Sequence, residues 1–518
     1  MKRQVLLSVL NRFYPIILGF IGFCIIIVAT SRFNIGVGRD SILYIGSARN
    51  ISNGNGFTSW TGSPLTTAAP LYPLILAAID YAFKIDPLLS ARYVNAFIFG
   101  LIVYTSGLLF KKHLKSSPAT AFLGTISVLF SFVLVEVSIK AMTEALFICF
   151  ILIYLLFSEI YIEKRNILSL LISALAISLA ALTRYIGIPL IITGIFYILL
   201  FSRENRITKF QHISLYLIIS IIPIAAWLIR NFILSGSWFG WHLLPIGNTA
   251  IFDDYYLAER DLFYQSLWWY IPDRITNLPL LLLILGPIIG FIIVKEYKPN
   301  WKKFSNLITF YPILLMTTAY MGFLLLVLGQ GSGFPPRYIS PIFVPLTLLL
   351  FVFAENVLKP FLGRLSPKHG NILFLAFIAI WLIYPAQRTI IKLKNQYENG
   401  YYFTGDLWKN SEIIEYISQH RELEYECAIY SNLSHALYLL ADIRTQSSPR
   451  NDQDGKVITE IASLKGDWPS ENKGCLIWFD EESSLRGKFF LPDELMSIVD
   501  VDWYLRFQDG AIYMFSKN

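Results

Sequence analysis

Apolar and polar positions alternate along this chain on a coarse scale: long apolar runs are separated by short charged connections. About 20 mainly apolar residues are enough to cross the hydrocarbon of a bilayer as a helix. Windows of about that size recur about eleven times, at 14–30, 88–110, 119–135, 141–160, 167–182, 186–201, 213–229, 278–294, 307–328, 339–357 and 372–384. The pair Arg184-Tyr185 divides two of them and is read either as a turn between spans or as a kink in one long helix. The stretch 70–83 is apolar but interrupted by Pro73 and Asp80, and it is short for a crossing, so it reads as a re-entrant or interfacial helix. From Trp408 onward the pattern becomes that of a small α/β unit. Helices are predicted at 412–420 and 434–440, and strands at 427–430, 475–479, 499–506 and 511–515.

Composition fits the same picture. Of 518 residues, 55% are hydrophobic and 15% charged, with a mean hydropathy of +0.53, more apolar surface than one aqueous core hides. The net charge of +7 does not point to nucleic acid, because the basic residues sit in short groups between apolar runs. Charge bias also fixes an orientation. With Lys2, Arg3 and Arg12 in the cytoplasm, the basic connections 111–115, 163–165, 203–209, 295–303 and 359–368 all fall on that side. The longer and more acidic connections 31–87 and 230–277, the connection 329–338 and the tail from about 388 fall on the other. This bias favours a turn at Arg184, since a kink there would move a basic loop to the wrong side. The expected organisation is a transmembrane module over 1–390 and an extracytoplasmic α/β domain over 391–518. No A-x-A pattern follows the first apolar run, so that helix is expected to stay as an anchor.

Cys24, Cys149, Cys427 and Cys475 form no CxxC and have no histidine at zinc-ligand spacing. Cys427 and Cys475 stand at the starts of two predicted strands, and both a disulfide and two buried thiols are compatible with that placement.

Candidate chemistry gathers on the outer side. Gly38-Arg39-Asp40-Ser41-Ile42-Leu43-Tyr44 places a carboxylate just beyond the first span, within reach of a lipid headgroup and of a water-borne substrate. There it acts as a proton acceptor, or it pairs with Arg39 or caps the helix carrying Tyr44. Glu144, Arg184-Tyr185, Arg230 and Arg337-Tyr338 map to the same side. Charges at span ends are costly and usually functional, although snorkelling and helix capping account for single cases. The loop 230–277 is rich in aromatics and acids, including Trp238, Trp241, His242, Asp253 and Asp254. Its aromatic rings suit sugars and headgroups alike. Asp253 and Asp254 are candidate ligands for a divalent cation such as Mg²⁺ or Mn²⁺, with solvated loop acids as the other reading. No other cofactor is called for.

Taken together, Arg39-Asp40, the run ending Ala69-Pro70-Leu71-Tyr72-Pro73, Thr143-Glu144-Ala145-Leu146-Phe147, Leu182-Thr183-Arg184 and Pro336-Arg337-Tyr338-Ile339-Ser340-Pro341 resemble the GT-C glycosyltransferases. The likeness is to the branch with protein O-mannosyltransferases, the lipid A aminoarabinose transferase and lipopolysaccharide-core transferases, over roughly the first 360 residues. It implies a polytopic helical GT-C module of about eleven transmembrane helices with an outer α/β domain. It also implies inverting transfer of a sugar from a polyprenyl-phosphate donor to a hydroxyl of a glycan, lipid or protein at a bacterial inner membrane. In that likeness Asp40 is the base, while Arg184, Arg337, Arg230 and Tyr338 meet the donor phosphate. Tyr44, Tyr72, Glu144, Tyr185 and His242 contact the substrates. Ser41 stands where the family commonly has a second acid, which counts against a metal at that pair. The competing function is a lipid or polysaccharide flippase or an assembly protein. A transporter would normally carry internal symmetry and paired discontinuous helices, and the sequence has neither.

Overall fold

The computed structural model describes residues 2–240, 269, 311–328, 336–366, 368–453, 456–457, 461–465, 467–480 and 489–517. The predicted span at 278–294, the basic connection 295–303 and His242, Asp253 and Asp254 lie outside these residues.

The apolar runs fold as α1 (Lys2–Ala29), α4 (Pro87–His113), α5 (Pro118–Leu129), α6 (Phe132–Ser138), α7 (Glu144–Lys164), α8 (Ile167–Thr183), α9 (Ile191–Phe201) and α10 (Arg206–Ser235). After residue 310 come α11 (Tyr311–Leu328), the single turn α12 (Pro336–Ile339), α13 (Phe343–Phe353), α14 (Lys359–Leu365) and α15 (Gly370–Asn399). By length and composition, six helical spans among the described residues can cross a bilayer, or seven if α5 and α6, bent by 45°, count as one. α2 (Arg39–Ser52) and α3 (Leu71–Phe83) occupy the first long connection, and α3 falls where a short interfacial helix is predicted.

Small residues let the helix backbones touch, as membrane packing requires. At the crossing of α1 and α4, a Cβ on Gly19 would stand 2.8 Å from the Gly100 carbonyl oxygen, and one on Gly100 would stand 2.9 Å from that of Gly19. Arg92 closes the end of this pair by donating to the Ile27 carbonyl at 2.8 Å.

Contacts with α7 settle the role of Arg184-Tyr185. Arg184 at the end of α8 reaches Thr143 at the start of α7. Tyr154 of α7 bonds Thr193 of α9 at 2.7 Å, and Tyr161, one turn from the end of α7, meets Ser202 just past α9 at 3.4 Å. Thus α8 runs antiparallel to α7 and α9 parallel to it, so the chain reverses at Arg184. Its extended backbone there, with φ −149° and ψ 131°, ends the helix.

The bundle's two ends differ in chemistry. Near the end of α7, Glu159 is buried between Lys112 at 3.1 Å and His113 at 3.0 Å. Glu355 pairs with Lys359 at 2.6 Å and accepts from Thr120 at 2.9 Å and from Ser117. Lys112 and His113 belong to the basic connection 111–115 and Lys359 to 359–368. The start of α7, about 30 Å away for a 21-residue helix, carries Glu144 and the elements described below.

The C-terminal domain contains a five-stranded sheet in the order β2-β1-β5-β7-β6, built from β1 (Ala428–Ser431), β2 (Gln446–Ser447), β5 (Lys473–Phe479), β6 (Asp500–Phe507) and β7 (Gly510–Ser516). The short pair β3 (Asp452–Gln453) and β4 (Lys456–Val457) stands apart. β1 pairs in parallel with β2 and β5, whereas β7 is antiparallel to both of its neighbours. Alternation along β5 divides the core. Cys475, Ile477 and Phe479 join the main core, while Leu476 packs with Tyr430, Trp468 and Phe515 on the other face.

Cys427 and Cys475 form a disulfide with Cα atoms 5.7 Å apart. Parallel neighbours seldom allow this. Here Cys427 precedes the paired part of β1, whose Ile429 faces Cys475 in register, so its Cα is free of the ladder. Closing a loop of 48 residues stabilises a domain by about 4 kcal/mol in the chain-entropy model. Reduction is expected to lower the domain's melting temperature clearly in a fluorimetric melt. The paired variant Cys427→Ser/Cys475→Ser should melt at that lower temperature with or without reductant, and an unchanged melt on reduction would count against a stabilising bridge.

Candidate active site

Two short extended segments bring distant helix ends together. Gly36 donates to the Ile139 carbonyl at 2.8 Å and accepts from Ala141 at 2.8 Å, tying the entry to α2 against the entry to α7. On its other side, Phe403 donates to the Val37 carbonyl at 3.2 Å. Asn95 holds the turn from inside α4, with Nδ2 donating to the Ser138 and Lys140 carbonyls at 3.2 and 2.5 Å. Tyr72 in turn donates to Asn95 at 2.9 Å. The first turns of α2 and α7, carrying Asp40 and Glu144, therefore sit side by side. Both acids occupy the positive end of a helix, where a carboxylate is favoured.

Two arginines complete the cluster. Arg337 Nη1 lies 2.9 Å from Asp40 Oδ2, with both side chains partly exposed at 37% and 50%. Its Nε is 4.0 Å from Glu144 Oε1. Arg184 Nη1 is 2.8 Å from the same Glu144 oxygen and donates to Thr143 Oγ1 at 2.9 Å. Glu144 is 1% exposed, and neither of its oxygens takes an aligned hydrogen bond among the described residues. It is thus held by charge rather than by geometry. Tyr338 lies between the guanidiniums, its ring centre 5.4 Å from Arg184 and 5.1 Å from Arg337. With two acids against two guanidiniums the cluster is neutral, and an entering anion has both cations in reach.

The remaining sequence candidates have other positions. Tyr44 packs edge-on against Tyr72 with ring centres 5.8 Å apart. Burial pushes the Tyr44 phenol up to about 12, against the opposing pull of Arg184, so it stays a neutral donor at physiological pH. Tyr185 and Arg230 are not part of the cluster. Tyr185 donates to the Thr66 and Ala68 carbonyls and accepts from Trp227 and Asn231. Arg230 donates to the Leu65 and Phe57 carbonyls at 2.8 and 2.9 Å and stacks on Trp227 at 4.4 Å. Both fasten the first outer loop to α10, so its arginine meets loop carbonyls where the sequence reading has it meet a phosphate. Asp40 pairs with Arg337, and the cap of α2 is closed by Ser41 Oγ, which accepts from Gly38 N at 3.1 Å.

Tyr320 is a neighbour that sequence reading missed. It is 2% exposed on α11 and donates to the Tyr338 carbonyl at 2.6 Å, fixing the turn that carries Arg337. A tyrosine inside an apolar run gives no signal of this. Among the described residues, no group of three or more metal-ligating side chains occurs.

Known proteins resemble this chain over part of its sequence and in its fold. Residues 67–229, from before α3 to near the end of α10, match the family described as dolichyl-phosphate-mannose-protein mannosyltransferase. That stretch contains Glu144 and Arg184 but neither Asp40 nor Arg337. No curated protein sequence matches the chain. Among solved structures, ArnT from Cupriavidus metallidurans in the apo state is similar over 99% of this chain and 98% of its own, with a TM-score of 0.58 and 12% identity. The same protein bound to undecaprenyl phosphate is similar over 97% of this chain and 98% of its own, with a TM-score of 0.60 and 13% identity. An ArnT-like arrangement along nearly the whole chain, with a mannosyltransferase-family match inside its membrane module, gives this chain the fold of the GT-C superfamily of membrane glycosyltransferases.

Proposed function

We propose that the chain is an inverting glycosyltransferase that moves a sugar from a polyprenyl-phosphate-linked donor to a hydroxyl of a glycan, lipid or protein acceptor. The reaction takes place on the outer face of what we read as a bacterial inner membrane. The observation that carries this is the meeting of Asp40, Glu144, Arg184 and Arg337 at one end of the bundle, opposite the basic connections. The disulfide supports the same orientation, because such bridges persist in oxidising compartments.

Without donor, Arg337 is shared between Asp40 and Glu144. A donor phosphate drawn to Arg337 and Arg184 takes over the guanidinium fork, whose planar donors match phosphate oxygens. Asp40 is then released to face the acceptor. The acceptor oxygen forms its bond to the anomeric carbon while the bond from that carbon to the phosphate oxygen breaks. Polyprenyl phosphate leaves with the electron pair, and the hydroxyl proton passes to Asp40. Buried Glu144 keeps Arg184 fixed throughout, so the charge that develops on the leaving phosphate meets preset cations. The ArnT structure that resembles this chain contains undecaprenyl phosphate, which supports a donor of this lipid class.

The test is to incubate the purified chain in detergent or nanodiscs with a panel of polyprenyl-phosphate sugars. Donor hydrolysis or transfer with one sugar is expected. Inertness towards every donor, together with movement of the lipid between leaflets of a vesicle, would replace the enzyme by a transporter.

A further inference from the structure

One sizeable cavity of the described residues lies away from the acid and arginine cluster. It is a cleft of about 1140 Å³ between the far end of α2, the end of α3 and the C-terminal domain. Trp60 forms the seam beside it: its ring stands 5.6 Å from Tyr438 and 4.9 Å from His435 on the helix Ser434–Ala441. The cleft is walled by Arg49, which pairs with Asp86 at 2.9 Å and lies over the Tyr438 ring at 5.9 Å. Nothing in the mechanism above uses this space.

Its chemistry selects a class of ligand. Among the described residues its lining holds four basic and five acidic side chains together with four amides. Such a wall is nearly neutral and dense in donors and acceptors, which suits neither phosphate nor an apolar chain. It matches a polyhydroxylated, uncharged ligand that can use amides and charged groups in bidentate hydrogen bonds. An aromatic platform stands at its rim: Tyr425, 91% exposed, offers the apolar ring face on which a pyranose stacks. Position adds direction. Asp40 and Asn53 mark the two ends of α2, about 20 Å apart at the helical rise per residue, so the cleft begins several sugar rings away from the reacting carboxylate.

We infer that the cleft between α2, α3 and the C-terminal domain binds a neutral oligosaccharide, the non-reacting length of a glycan acceptor. This rests on the proposed transfer reaction for its purpose but not for its detection. Binding is read by saturation-transfer NMR on the full chain in nanodiscs. The probes are maltoheptaose, isomaltoheptaose, laminariheptaose and a linear mannoheptaose, with an oligogalacturonate of the same length as the anionic control. Saturation transfer to at least one neutral probe is expected. It should persist in Asp40→Asn and weaken about tenfold or more in Asn53→Ala/Tyr425→Ala, two rim positions away from the helix core. A folded double variant, checked by its melt, that binds as well as the parent overturns the inference. Absence of transfer to every neutral probe, or preference for the anionic one, also overturns it. Failure of the enzyme reading alone would look different: neutral oligosaccharide bound as described, with no donor turned over.

Discussion

Asp40→Asn is expected to lower sugar transfer by about 10²- to 10⁴-fold, the usual contribution of a positioned general base, while leaving the protein folded. The two effects separate because of where Asp40 sits. Its pair with Arg337 is half-exposed on the carboxylate side, and such a pair contributes about 1 kcal/mol or less to stability. Asparagine keeps the shape and a hydrogen-bond acceptor but cannot take the proton of the acceptor hydroxyl. The assay is transfer from the best polyprenyl-phosphate donor, read beside a thermal melt and donor affinity. Donor affinity should hold or rise, since Arg337 loses its competing carboxylate. Near-normal transfer in a folded variant would remove Asp40 from the reaction.

Arg337→Ala is expected to cost about a hundredfold in donor kcat/KM, or about 3 kcal/mol of transition-state stabilisation, with a much smaller change in acceptor KM. Arg337 is the one guanidinium of the cluster that touches both acids, so its removal leaves Arg184 alone against the leaving phosphate. Arg337→Lys should recover only part of the loss, because an ammonium does not present the planar fork. Equal losses towards donor and acceptor, with a lowered melt, would instead assign Arg337 a folding role. Arg230→Ala is the informative contrast. Its guanidinium is committed to the Leu65 and Phe57 carbonyls, so the first outer loop should loosen and both substrates should suffer alike.

Segments with strong local signals are legible in the sequence. Runs bounded by charge at 88–110, 141–160 and 213–229 appear as α4, α7 and α10: α4 is longer by one residue at its start and three at its end, α7 starts three residues later and ends four later, and α10 gains more than a turn at both ends. Apolar length is a property of a single stretch and needs no partner. The tail behaved similarly: a helix predicted at 434–440 is found at Ser434–Ala441, and a strand predicted at 475–479 begins two residues earlier. Residues at span ends carry a weaker signal. Arg184, Arg230 and Arg337 give the same signal, a guanidinium at an outer helix end, yet only two of them reach Glu144.

What the sequence by itself determined is the membrane-spanning helical class, the bias of charge between connections and the presence of a small α/β tail, because each follows from apolar length, alternation or composition within one segment. Tertiary structure alone decided which polar ends share a site. The ladder joining Gly36 to Ile139 and Ala141 sets Asp40 beside Glu144, and the reversal at Arg184 turns that side chain back to α7. The bond from Tyr320 steadies the turn bearing Arg337. The first of these contacts is backbone pairing, which leaves no mark on side-chain identity, and the other two are made by side chains whose partners are set only by how the helices pack.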